Sequence, residues 1–157
     1  MSTTEYLSQG RRLNEMIAFL SDRLMMLRDG ADRVGALRVS GVKVQQSPDG
    51  DAPYVRAMQR IWDMEESIDR KLLLLVRLDR QIGEVIGTLI SGDYRMLLRY
   101  RYLGRKSWEQ IADLMHIDAS TAKRWHAKAI ALLTLPEDAI FIREAEEEDE
   151  ADLPPAA

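Results

Sequence analysis

The chain has 157 residues, 46% of them hydrophobic, enough for one core or for one domain with an elongated appendage. It contains no cysteine, which excludes disulfides and thiolate metal sites. The formal charge of −4 conceals an asymmetry: residues 144 to 157 (EAEEEDEADLPPAA) hold seven of the 26 acids and no base, so the remainder sets 22 bases against 19 acids.

Between Asp93 and Lys128 there are eight Lys/Arg against four Asp/Glu. A basic C-terminal module in an acidic chain is the first functional clue. No uncharged apolar run approaches the ~18 residues of a membrane span. The opening MSTTEYLSQGRR has no basic-then-apolar leader pattern. The expectation is a soluble cytoplasmic protein without a membrane partner.

The first predicted helix covers about residues 3 to 29. Ser2, Thr3 and Thr4 are candidate caps, and Leu13, Ile17, Leu20, Leu24 and Leu27 form a heptad seam that Asp29 and Gly30 close. Residues 30 to 53 hold four glycines and two prolines and are predicted to be a flexible connector, with VGALRVSGVKV able to form a short strand. A second helix is predicted from about Tyr54 to Ile90. Its seam is Met58, Ile61, Ile68, Leu72, Leu75, Ile82, Ile86 and Leu89, with Met64 and Leu78 beside the interruptions at Glu65 and Asp79. So long a one-sided helix needs a partner, either the first helix folded back or a second copy of the chain in a homodimer. Met25, Met26, Met58 and Met64 are read as core fillers.

Ser91-Gly92-Asp93 is a break and cap, after which Tyr94 to Leu103 forms a helix with Leu97, Leu98 and Tyr102 inward and Arg95, Arg99 and Arg101 outward. A basic turn, Gly104-Arg105-Lys106, leads to Ser107, a cap with Glu109 and Gln110 in the following turn. Trp108, Ile111, Ala112 and Met115 make the inner face of a short helix, and His116-Ile117-Asp118 the turn. Ala122, Trp125, Ala129 and Leu132 make the inner face of the next helix. A small Ala112 permits a close perpendicular crossing, and Ile117 plugs the corner of a turn too short for an antiparallel hairpin. The outer face of the second helix carries Ser120, Thr121, Lys123, Arg124 and Lys128 and no acid after its cap. Short hydroxyls followed by long cations suit a DNA major groove.

The stretch SWEQIADLMHIDASTAKRWHAKAIALL resembles the promoter-reading region four of bacterial sigma factors. With the leading YLSQGRRLNEMI helix, the connector, the long helix and RYRYLGRKSWEQIADLM, residues 5 to 134 are similar to small phage and prophage proteins grouped with the ArpU and RinA late-transcription regulators. The pattern departs at His116, where glycine is usual, and at Ala122 and Trp125, where β-branched residues or leucine are usual. The expected fold is all-α: a coiled-coil helical hairpin over 1 to 91, a helix-turn-helix domain over 92 to 136 as the resemblance implies, and a disordered acidic tail over 137 to 157. It implies a late-gene activator acting on double-stranded DNA in a bacterial host cell, at the nucleoid, with RNA polymerase as a further partner. Ser120, Thr121, Lys123 and Arg124 stand at its groove-facing positions. Lys128, Arg105, Lys106 and Ser107 stand where it meets phosphates.

The two histidines, His116 and His126, have neither a metalloprotease spacing nor a glycine-rich phosphate loop beside them. No catalytic residue, metal site or cofactor is expected, and His126 is read as a surface residue beside the groove. Two alternatives remain: a DNA-packaging protein like a small terminase subunit, and an adaptor whose sigma-like module binds RNA polymerase instead of DNA.

Overall fold

A computed structural model of the chain describes residues 1–39 and 52–143. The regular secondary structure of the described residues is all helical, with no strand among them. In order they form α1 (Thr3–Val39), α2 (Ala52–Gly87), α3 (Gly92–Leu98), a π-helical turn (Arg99–Leu103), α4 (Trp108–Met115) and α5 (Ala119–Leu132). They fall into two compact units, one of residues 1–14 and 73–143, the other of 15–39 and 52–72. No helix among them is long and apolar enough to cross a membrane.

In the unit of 15–39 and 52–72, α1 buries Ile17, Leu20, Leu24 and Ala31, and α2 buries Ile61, Met64, Ile68 and Lys71. Both sets keep heptad spacing. Arg28 of α1 pairs with Glu65 of α2. The expected stop at Gly30 does not occur, and α1 continues to Val39. One helix-interior glycine costs only about 1 kcal/mol, and Ala31 carries the seam one heptad beyond Leu24. Residues 30–39 are therefore helix instead of connector or strand. The central part of the expected connector, residues 40 to 51, lies outside the described residues.

The α2 seam differs from its predicted form by one position. Leu72 is 42% exposed, whereas Lys71 is 2% exposed, with its ammonium 3.3 Å from the Ser67 hydroxyl. The regular alternation 61, 64, 68, 71, 75, 78, 82, 85, 89 runs straight through this lysine. A search for apolar residues alone steps aside onto its leucine neighbour. Met25 and Met26 are also exposed, so only Met64 of the four methionines fills the core fully.

The other unit begins with a capping box in which Ser2 Oγ accepts from the Glu5 amide while Glu5 accepts from the Ser2 amide. Tyr6, Leu7 and Leu13 of α1 and Leu75, Leu78, Ile82 and Ile86 of α2 are buried. Gly10 lies against Leu75 and Asp79, and Tyr6 against Gln81, so the two helices run antiparallel here.

Residues 138 to 142 lie on this pair and are held like a strand by two glutamines. Gln81 Nε2 donates to the Asp138 carbonyl (3.0 Å) and its Oε1 accepts from the Ile140 amide (2.8 Å). Gln9 repeats the motif two residues on, donating to the Ile140 carbonyl (2.9 Å) and accepting from the Ile142 amide (2.8 Å). Ile142 is buried and Phe141 meets Tyr6 edge to face. The predicted acidic tail from 137 is thus bound as far as residue 142. The remainder of that prediction, residues 144 to 157, lies outside the described residues.

Tyr6 donates to Gln81 Oε1 at 2.7 Å, and its pKa is pushed up to about 12 by burial, with Asp138 and Glu84 adding to the effect. The folded protein holds this proton more tightly than the unfolded chain, where tyrosine titrates near 10. Its contribution is complete below about pH 10 and is lost as pH rises towards 12. Melting curves over that window should show wild type losing stability more steeply than Tyr6→Phe. Parallel profiles would mean that Tyr6 is not held in this way.

Candidate nucleic-acid interface

The segment after α2 folds around its own small core of Leu97, Ile111 and Ala122, with Tyr100, Trp108, Met115, Ile117 and Trp125 packed against it. Ser91 caps α3 by accepting from the Tyr94 amide, as its sequence position suggested. Ser107 and Gln110 form a reciprocal capping box at the start of α4. Helix α4 ends with His116 in the left-handed region (φ 55°, ψ 44°). The Ile117 amide reaches back to the Ala112 carbonyl at 3.1 Å, and His116 to Asp113 at 3.4 Å. This pairing is a Schellman ending, normally closed by glycine. Histidine tolerates the conformation better than most residues do, so the tight turn survives the departure from glycine.

Asp118 holds the N-cap position of α5 with extended backbone but makes no side-chain cap bond. Ala122 and Ala129 are fully buried, so α5 packs through small side chains. The last predicted inner residue is corrected: Leu132 is 65% exposed and Leu133 is 8% exposed. Helix α5 stops at Leu132, and the extended backbone of Leu133 turns that side chain inward.

The predicted site residues divide into three groups. Ser120, Lys123, Arg124 and Lys128 are exposed on α5, and Thr121 is half-buried beside them. No ion pair engages the three cations among the described residues. Arg124 Nη2 donates to Thr121 Oγ1 at 3.1 Å, which holds the guanidinium over the N-terminal half of the helix. Thr121 also lines an open hollow with Ala112, Asp113, His116, Ile117 and Asp118 at the α4–α5 corner.

Ser107 and Lys106 form a second group at the entrance to α4. The Ser107 hydroxyl is already used in capping, and Lys106 is half-buried.

Arg105 belongs to neither group. It has φ 53°, and its Nη2 forks onto both oxygens of Asp79 in α2 at 3.0 and 3.2 Å. Its Nε is buried without a partner. A Cβ at Gly10 would stand 3.2 Å from Asp79 Oδ1 and 3.6 Å from Arg105 Nη2, so this glycine lets α1 pass close to the pair. Arg105 ties the small core to the long helices. Asp79, an interruption when read in the heptad, is its counter-ion.

His126 is also placed differently from the surface position expected of it. Its Nε2 is 2.5 Å from the Tyr102 hydroxyl, and its ring meets Trp108 edge to face. Burial, followed by the nearby Arg101 charge, holds its pKa below the usual histidine value. Arg101, expected outside, lies with its guanidinium 4.5 Å from the centre of the Trp108 ring. Sequence spacing could not reveal this cluster, because the π-helical turn shifts the facing of residues 99 to 103 relative to a continuous α-helix.

No group of three or more His, Asp or Glu able to hold a metal occurs among the described residues. Among the described residues the regular secondary structure is entirely helical, and an antiparallel long pair with a compact three-helix C-terminal core is the class that fold and site define. The chain belongs to the family described as "Protein of unknown function (DUF722)", whose model matches residues 42–134, more than half of the chain. No curated protein and no solved structure matches it.

Proposed function

We propose that this protein is a sequence-specific DNA-binding transcriptional regulator of phage or prophage origin, in which α4 and α5 act as a sigma-like helix-turn-helix. The observation that carries it is the outward face of α5: Ser120 and Thr121 near the N-terminus, then Lys123, Arg124 and Lys128, with no carboxylate on the helix to neutralise them. The tight turn at His116 and the buried Ala122 support a fixed crossing of α4 and α5, which presents that face as a unit. In a major groove the first residues of such a helix reach base edges, and the cations further along reach phosphates.

The test is a gel-shift titration of the full chain against DNA flanking its own gene, at two salt concentrations. The expected result is one site bound roughly 10³-fold or more tighter than scrambled DNA, with affinity on both falling steeply as salt rises. Equal binding to every sequence would remove the regulatory role, and absence of binding would remove DNA as the partner.

A further inference from the structure

Helix α5 packs on its module through Ala122, Ala129 and Trp125, the last tilted against Tyr94 with ring centres 6.3 Å apart. Apolar contacts are non-directional, and small methyl groups hold a helix close without fixing its rotation. Among the described residues, only one hydrogen bond joins an α5 side chain to another element. The Tyr102 hydroxyl donates to Nε2 of His126, 2.5 Å away, in the neutral imidazole that burial and then the Arg101 charge favour. Such a bond weakens steeply once its angle falls below about 120°.

Trp108, at the start of α4, closes the other side of His126, edge to face with ring centres 5.1 Å apart, and Arg101 stacks over Trp108. The π-helical turn, α4 and α5 therefore meet at His126. A rotation of α5 by about 20° carries a group ~5 Å from its axis through roughly 2 Å. Binding groups that recognise a partner by geometry must be held to about 0.5 Å. Attraction to phosphates is Coulombic and forgives such a shift.

We propose that Tyr102 and His126 are positioning residues that determine specificity. Their hydrogen bond sets the rotation at which α5 presents Lys123 and Arg124, and so which base edges those side chains reach. The inference rests on α5 reading DNA, as proposed above. His126 is half-buried and Tyr102 is buried, so both act from beneath the exposed cationic face.

The experiment compares the full chain with Tyr102→Phe, His126→Leu and His126→Gln on the preferred site and on scrambled DNA. Glutamine brings an amide oxygen that accepts from Tyr102 in place of Nε2. Tyr102→Phe and His126→Leu are expected to lower the ratio of preferred to scrambled affinity roughly tenfold or more, the worth of one base-edge contact. Affinity for scrambled DNA should change far less, and His126→Gln should restore most of the ratio. A ratio kept at the wild-type value in either Tyr102→Phe or His126→Leu overturns the proposal. So does a parallel loss on both DNAs, which would give the bond a role in folding alone, or a His126→Gln that behaves like His126→Leu. A wild type without any preference removes the regulatory reading instead. The setting of α5 is then read without DNA from the Trp125 indole resonance, which Tyr102→Phe should shift and His126→Gln should leave in place. An unshifted resonance in Tyr102→Phe overturns the positioning role itself.

Discussion

Replacing Leu75 with aspartate is expected to unfold the unit of residues 1–14 and 73–143, while the same change at Leu72 leaves both units standing. Leu75 is 8% exposed in the continuous α2 seam, and Gly10 of α1 packs against its Cδ1. Truncation to alanine there should cost about 3 kcal/mol from lost burial and the cavity left behind. An unpaired carboxylate adds its own desolvation, and a total above about 4 kcal/mol consumes much of the stability of a domain this size. Leu72 points to water, and an exposed substitution there should stay within about 0.5 kcal/mol. Urea denaturation of the two variants separates the cases. Equal destabilisation would mean that Leu72 is covered in solution, by a second copy or by another part of the chain.

The contrast between these neighbours shows where heptad reading fails. Both long helices and the α3–α4–α5 succession were legible because apolar spacing, Ser91 and Ser107 caps and the His116 turn all act over a few residues. Gly30 reads as a stop because its cost is local, whereas the seam that overrides it extends through Ala31. The charge of Lys71 argues against burial, though its register places it in the core. A helical period selects Leu132 as the inner residue, but the helix ends there and the extended backbone of Leu133 takes that place.

The candidate site was legible where it depends on one helix and illegible where it depends on contacts between distant segments. Lys123, Arg124 and Lys128 share α5, so their spacing alone groups them. Arg105 looked equivalent to them in sequence, but Asp79 captures it from 26 positions away. The glutamine clamps on residues 138 to 142 join positions more than fifty apart, and no local pattern announces an amide side chain that acts as a strand edge.

Alanine at Arg124 or Lys123 should weaken binding to the preferred DNA by about 1–3 kcal/mol and relax preference at a single base position, the signature of a lost base-edge contact. Arg124 is the sharper case because its hydrogen bond to Thr121 restrains the guanidinium before DNA arrives, reducing the ordering it must undergo on binding. Lys128, exposed further along α5, should behave as a phosphate contact: Lys128→Ala weakens all sequences alike and lowers the salt slope by about one. Arg105→Ala should separate from all three. Its guanidinium is spent on Asp79, so the loss should appear in thermal stability, with DNA affinity changed far less. The four variants are assayed on preferred and scrambled DNA at several salt concentrations, with melting temperatures measured in parallel. If Lys123→Ala and Arg124→Ala both bind the preferred site like wild type, α5 does not read bases. Its basic face would then be a surface for another protein, and RNA polymerase would replace DNA as the partner to test.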